Sequence, residues 1–432
     1  MTIRRQIPNG ISEDLVVENL QIVEDIFSSK WLAKKSNGQH TIKKLWNRRD
    51  YLATIELFTL GNALKLLLNS GAEEWVKGYA ERVKKTKASD QVGVSYEAIA
   101  ASYFMEFHDV QMPPESQPGY DIVINEKKLS FLISCKKLLP SEVPRKVDSK
   151  AKEIEKEFII LMKKKRITGL RLLILGAKEG NIPTPNRCMS VVEDMLQTKK
   201  REVKTESFTF TLNHIGESDL SQRRISYQFN MLIPQKKTEQ KRFENLFGKA
   251  YKNLMKHTKE KSSGNFLKML MVSLPEYISM QKTEKWIREN FKSHYKGLSC
   301  VLLTRAIPVQ STSSSFLSLE CKPVFNIQAE NSLLDKIMNK EFSYFKLQIP
   351  IGTVSSEESK QMLKSDDGSM DVSNFYCFQR AVVSYEKHGD SLEVNFNYKP
   401  NFYYQVDFIT DHNTPPISLA PIFPPEFTTV LL

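Results

Sequence analysis

One short stretch of the chain brings together residue types that could do metal-assisted hydrolysis. Asp121 follows Pro118-Gly119-Tyr120, and Ser134 and Lys136 stand two apart on a later apolar segment. Glu97 lies upstream, in Ser95-Tyr-Glu-Ala-Ile-Ala. Carboxylates are hard oxygen ligands of the kind Mg²⁺ prefers. A nearby lysine can orient a water or stabilise negative charge as it develops. Phosphodiester hydrolysis needs both: charge must be neutralised on a pentacovalent phosphorane, and hydroxide must be made at neutral pH.

The surrounding pattern supplies elements to position these groups. Tyr120–Ile124 reads as a strand, Asn125-Glu-Lys-Lys as a turn and Leu129–Lys136 as a second strand, together a hairpin. Period two places Ser134 and Lys136 on one face, with Ile133, Cys135 and Lys137 on the other. Residues opposite one another in a hairpin are about 5 Å apart, which brings Asp121 near Lys136. An ordinary cross-strand ion pair would use the same geometry. Glu97 falls in a helix over Val94–Phe107. His108–Met112 reads as a short strand, and the proline-rich Pro113–Gly119 as a loop. Val147–Lys165 reads as a helix, and Leu170–Leu175 as a short strand of the buried type. The order is helix, three strands, helix, strand.

This stretch, about residues 91–180, resembles the PD-(D/E)XK (restriction endonuclease-like) nuclease superfamily. Asp121 matches the family's metal-binding aspartate, Lys136 its lysine and Glu97 the helix glutamate found in many members. The acidic residue two before the lysine is replaced here by Ser134, which removes a metal ligand. The resemblance implies two outcomes. In Ser-x-Lys variants, a glutamate from the following helix fills the vacancy, and here Glu153, or else Glu155, is the candidate. Alternatively, the site is inactive and the fold only binds nucleic acid or scaffolds a complex. The resemblance further implies Mg²⁺ (or Mn²⁺) held by Asp121, Glu97 or Glu153, and the Cys135 carbonyl. It implies a DNA endonuclease, by analogy an effector in phage defence or restriction, with a protein partner or a second copy.

The chain of 432 residues is long enough for about three domains. The expected class is α+β and multidomain. A helical region (1–90) precedes the nuclease-like α/β core (91–180), a second, basic α/β region (181–319) and a β-rich C-terminal domain (320–432). The helical region is expected to hold helices from Ser12, from Ile42 to Leu68 with an interruption near Gly61, and over Ala72–Val83. Gln310–Ser315 reads as a loop or linker, and Gly352–Met370 as a loop. Ser391–Tyr398 and Phe402–Ile409 read as strands, with Phe402-Tyr403-Tyr404 as strand core.

Charge adds a partner class. Lysine and arginine number 62 against 50 acids, a net of +12. Residues 199–261 hold 15 basic and 7 acidic side chains, whereas 320–432 hold 9 and 15. A polyanion-facing surface therefore belongs to the first three quarters, with Lys199-Lys-Arg, Arg223-Arg and Lys236-Lys as candidates for contact with a phosphate backbone. Lys163-Lys-Lys-Arg166 sits at a helix end, where cations complement the helix dipole. The five cysteines are scattered, without Cys-x-x-Cys, so a zinc ribbon is not expected. No phosphate-binding Gly-rich loop occurs. Without a long apolar run or an apolar leader, no membrane association is expected, and the scattered thiols suggest a reduced, cytoplasmic setting.

Overall fold

The computed structural model describes residues 5–328 apart from 9–10, 35–39, 86–87, 115–118, 127–128, 168, 215–223, 260–265, 276 and 311–314. Beyond these it describes 353–355, 360–365, 368–371, 374–384, 405–407, 418–419 and 431–432. Pro118, Arg223, Ser391–Tyr398 and Phe402-Tyr403-Tyr404 fall outside the described residues. The fold is of mixed α and β composition, consistent with the α+β class.

Six helices open the chain: α1 (Glu13–Phe27), α2 (Ser29–Ala33), α3 (Thr41–Asn47), α4 (Tyr51–Asn69), α5 (Glu73–Lys85) and α6 (Ala88–Ser102). Ser12 caps α1, its hydroxyl accepting from the Leu15 amide at 3.3 Å. The break in the expected 42–68 helix falls at Arg48–Asp50 rather than at Gly61. Asp50 caps α4 by accepting from the Ala53 amide, and Arg48 holds its carboxylate at 2.8 and 2.9 Å. Gly61 lies within α4, where α1 crosses. A Cβ there would stand 2.1 Å from the Asn19 carbonyl oxygen, so glycine allows the two backbones to approach. Gly61→Ala should push the helices apart and cost about 1–3 kcal/mol, read as a lower urea midpoint. An unchanged midpoint would mean that the crossing does not depend on this close approach.

A seven-stranded sheet follows. It is built from β1 (Asp109–Gln111), β2 (Ile122–Glu126), β3 (Leu129–Lys137), β8 (Phe266–Ser273), β9 (Cys300–Gln310), β10 (Ser315–Phe325) and the strand Thr353–Ser355, in that spatial order. β1, β2 and β3 form an antiparallel meander, β3 pairs in parallel with β8, and β8 in parallel with β9. A second, five-stranded sheet takes four of its strands from the chain between β3 and β8. It contains β4 (Leu170–Gly176), β5 (Glu202–Lys204), β6 (Phe208–His214), β7 (Arg224–Pro234) and the later strand Phe375–Ser384. The remaining helices are α7 (Glu142–Lys165), α8 (Pro185–Thr198), α9 (Thr238–His257) and α10 (Met280–Phe291).

The large sheet is covered on both faces. Ile122, Ile133, Cys135 and Met269 pack with the N-terminal helices. Leu132, Leu270, Val272 and Leu303 face the other way, in the cluster that holds Phe247 of α9 and Ile287 of α10. Leu431 and Leu432 return to the helical side and are buried there.

Several expected boundaries shift. Leu170–Gly176 pairs with β6 and β7 in the second sheet, and β8 takes the place beside β3. Local order pointed to the next apolar strand, but β8 buries both of its faces while β4 alternates buried and half-buried positions. The helix expected from Val147 begins at Glu142, because Ser141 caps it. Gln310 and Ser315 are cross-strand partners, so that loop joins a β9–β10 hairpin, and position 320 falls inside β10. Gly352–Met370 contains strands at Thr353–Ser355, Lys360–Ser365 and Gly368–Asp371, the last two paired antiparallel.

Candidate active site

Asp121 sits just before β2, and its amide donates to the Ile133 carbonyl at 2.8 Å, continuing the hairpin ladder. Its Oδ2 is the hub of the site. The Ser134 hydroxyl donates to it at 3.2 Å, the Cys135 amide at 2.7 Å and the Lys136 ammonium at 3.1 Å. The same ammonium donates to the Cys135 carbonyl at 2.6 Å. Period-two geometry accounts for the arrangement: Cys135 turns its side chain into the helical core, leaving its peptide group toward Asp121.

Glu97 reaches the site from α6. Arg82 of α5 holds it at 2.8 Å. Burial pushes the Glu97 pKa up to about 7, and the nearby Asp121 carboxylate adds to the rise against the opposing Arg82 and Lys136. For Lys136, burial opposes the charge, but Asp121 and the other neighbours outweigh it and hold the pKa above the ordinary lysine value. Lys136 is therefore a cation at neutral pH. It supplies positive charge rather than a free base.

The two carboxylates of α7 go elsewhere. Glu153 is exposed and paired with Lys150 at 2.6 Å, and buried Glu155 accepts from the Tyr227 hydroxyl at 2.8 Å. The carboxylate that the structure brings to Asp121 is that of Glu97. α7 packs its apolar stripe against the second sheet, so its acidic residues face solvent or Tyr227 of β7.

Two features of the site carry no signal in the sequence. Arg82 lies one helix before Glu97, and no spacing marks the pair. Lys137 turns to the helical side, where its ammonium lies 5.7 Å from the Tyr96 ring centroid and donates to Ser273 at 3.3 Å and to the Leu432 carbonyl. Burial lowers its pKa to about 8, with Glu56 opposing. Glu56 accepts from the Leu431 amide. The strand carrying Lys136 is thus tied through Lys137 to residues 431–432.

Asp121, Glu97 and the Cys135 carbonyl form a hard-oxygen donor set, and Mg²⁺ is commonly held by only one or two carboxylates and several waters. Burial is the larger cause of the raised Glu97 pKa and the Asp121 carboxylate the next, so a cation beside both would lower it. Among the described residues, no group of three or more His, Cys, Asp or Glu side chains is placed to hold a metal ion. Also among the described residues, no helix is long and apolar enough to cross a membrane.

Comparison with family models, curated proteins and solved structures gave no match.

Glu97 gives a pH test. Its folded pKa, about 7, lies above its ordinary value of 4.5. The folded state therefore favours the proton, and this contribution to stability is full below about 4.5 and lost as pH rises through 7. Glu97→Gln should flatten the fall in melting temperature between pH 5 and pH 8. It should melt about 2–4 °C higher than wild type at pH 8. Parallel profiles for the two proteins would refute the assignment.

Proposed function

We propose that the protein is a metal-dependent endonuclease that hydrolyses DNA phosphodiester bonds at the Asp121–Lys136–Glu97 cluster. The observation that carries this reading is the convergence of the Lys136 ammonium, the Asp121 carboxylate and the Cys135 carbonyl at one end of the hairpin, with the Glu97 carboxylate of α6 close enough to feel Asp121. The frame around it supports the same reading. Taken with α9 as the crossover helix, α6, β1, β2, β3, α9 and β8 give helix, three strands, helix, strand, with β3 and β8 parallel. That is the order expected of the PD-(D/E)XK superfamily, assembled across a long insertion.

Asp121, Glu97 and the Cys135 carbonyl would hold Mg²⁺ or Mn²⁺. The bound ion would supply a Lewis acid that polarises the phosphate and lowers the pKa of its water. The Lys136 ammonium would place its charge where the phosphorane becomes more negative, an effect that grows as water is excluded from the site. The Ser134 hydroxyl and the Cys135 amide fix Asp121 in one rotamer. Arg82 holds Glu97 while its carboxylate is charged. On the superfamily resemblance, the regions outside this frame suit a regulated effector of restriction or phage defence.

One observation favours a second reading. Lys136 bridges the two oxygens, Asp121 Oδ2 and Cys135 O, that a metal would use. A site closed by its own lysine would serve as a nucleic-acid-binding or scaffolding unit without cleavage. A calorimetric Mn²⁺ titration separates the two readings. The endonuclease binds the ion and Asp121→Ala does not, whereas the inactive scaffold shows no binding that depends on Asp121.

A further inference from the structure

We infer that the outer face of α9 is a docking surface for the backbone of double-stranded DNA, leading it to Asp121. This rests on the proposed function for the class of partner. The surface follows from the helix itself. α9 buries Phe243, Phe247, Ala250 and Leu254 on one side. At about 100° per residue, Lys241, Lys249, Lys252 and Lys256 fall within an arc of roughly 80° centred opposite that stripe. All four are exposed, and Asn245 shares the arc with no acidic residue among them. Among the described residues, their ammonium groups make no ion pair, in contrast to Lys146, Lys150 and Lys152 on α7, which are paired with Glu142, Glu153 and Asp148. From Lys241 to Lys256 the row is about 22 Å long, a large part of one turn of duplex.

A second observation joins this row to the site. Gly119, two residues before Asp121, lies against the last turn of α9 with φ +113°. A Cβ at Gly119 would stand 2.5 Å from the Cβ of His257 and 3.5 Å from the Asn253 carbonyl oxygen. Asn253 flanks the lysine arc, and His257 stands between it and the buried stripe. The segment that carries Asp121 thus leaves directly from the helix that carries the cations. A duplex about 20 Å across that lies along the arc would pass the Asp121 loop, which flanks the helix at its Lys256 end.

The test is binding of a fluorescent duplex of about 30 base pairs to the full-length protein in EDTA, across a KCl series. It compares wild type, a variant with Lys241, Lys249, Lys252 and Lys256 each changed to glutamine, and a charge-matched variant with Lys30, Lys163, Lys164 and Lys165 changed to glutamine. The α9 variant should bind at least about tenfold more weakly at low salt. Its log K against log[KCl] slope should be shallower by about 0.9 for each phosphate that is no longer neutralised. The charge-matched variant should keep both the wild-type affinity and the wild-type slope. Circular dichroism melts confirm that all three are folded. Equal losses in both variants, an unchanged slope in the α9 variant, or tighter binding of an RNA duplex of the same sequence would each overturn the inference. An unchanged slope alongside wild-type DNA binding leaves the nuclease reading standing, whereas no DNA binding by wild type defeats both.

Discussion

Lys136→Met is expected to bind Mn²⁺ more tightly than wild type while cleaving DNA about 10²–10³-fold more slowly. The two effects have opposite signs because the ammonium has two relations to the site. In the structure it sits on Asp121 Oδ2 and the Cys135 carbonyl, so a metal ion held by those oxygens would have to displace it. Methionine keeps the length of the side chain and removes that competition. During hydrolysis, however, the same ammonium would stabilise charge on the phosphorane, and methionine cannot. Calorimetry for the ion and single-turnover cleavage of plasmid DNA read the two effects separately. Weaker ion binding together with slower cleavage would make Lys136 only a structural partner of Asp121.

The largest loss of stability is expected at Arg305. This side chain on β9 is buried against Glu320, its cross-strand partner on β10, with Nη2 to Oε2 at 2.5 Å and Nε to Oε2 at 2.7 Å. Its Nη1 also donates to the Ile278 carbonyl at 3.0 Å, just ahead of α10. Glu320 has no exposed surface. Arg305→Met would leave that carboxylate buried beside an apolar chain, at a cost of about 3–5 kcal/mol. Changing both residues to methionine removes the stranded charge and should recover much of the loss. Urea denaturation of the three proteins checks this. A single variant as stable as wild type would show that water reaches Glu320.

The hairpin is legible in the sequence because its information is local. Alternation in Leu129–Lys137 sets which side chains share a face, and the ladder then places Asp121 beside Lys136 at 3.1 Å. The partner of β3 on its other side is not legible. β8 begins well over a hundred residues after β3 ends, beyond four strands of the second sheet, and Leu170–Gly176 is an equally apolar run much nearer in the chain. Nothing within a strand's own sequence states which sheet it joins when both sheets are buried. The acidic partner of Asp121 shows the same limit. Glu97, Glu153 and Glu155 are alike as letters, and only packing distinguishes them: α6 lies on the sheet of β3, while the buried stripe of α7 faces the other sheet. Asp50 shows a local signal that periodicity conceals, since apolar spacing runs through it while its side chain begins a new helix.

Cleavage of supercoiled plasmid in Mg²⁺ or Mn²⁺, with wild type beside Asp121→Ala, tests the central claim most directly. The account predicts metal-dependent nicking or linearisation by wild type and none by the variant, with EDTA abolishing the wild-type reaction. Cleavage that survives Asp121→Ala, or its absence from a wild-type protein that binds both the ion and DNA, would contradict it.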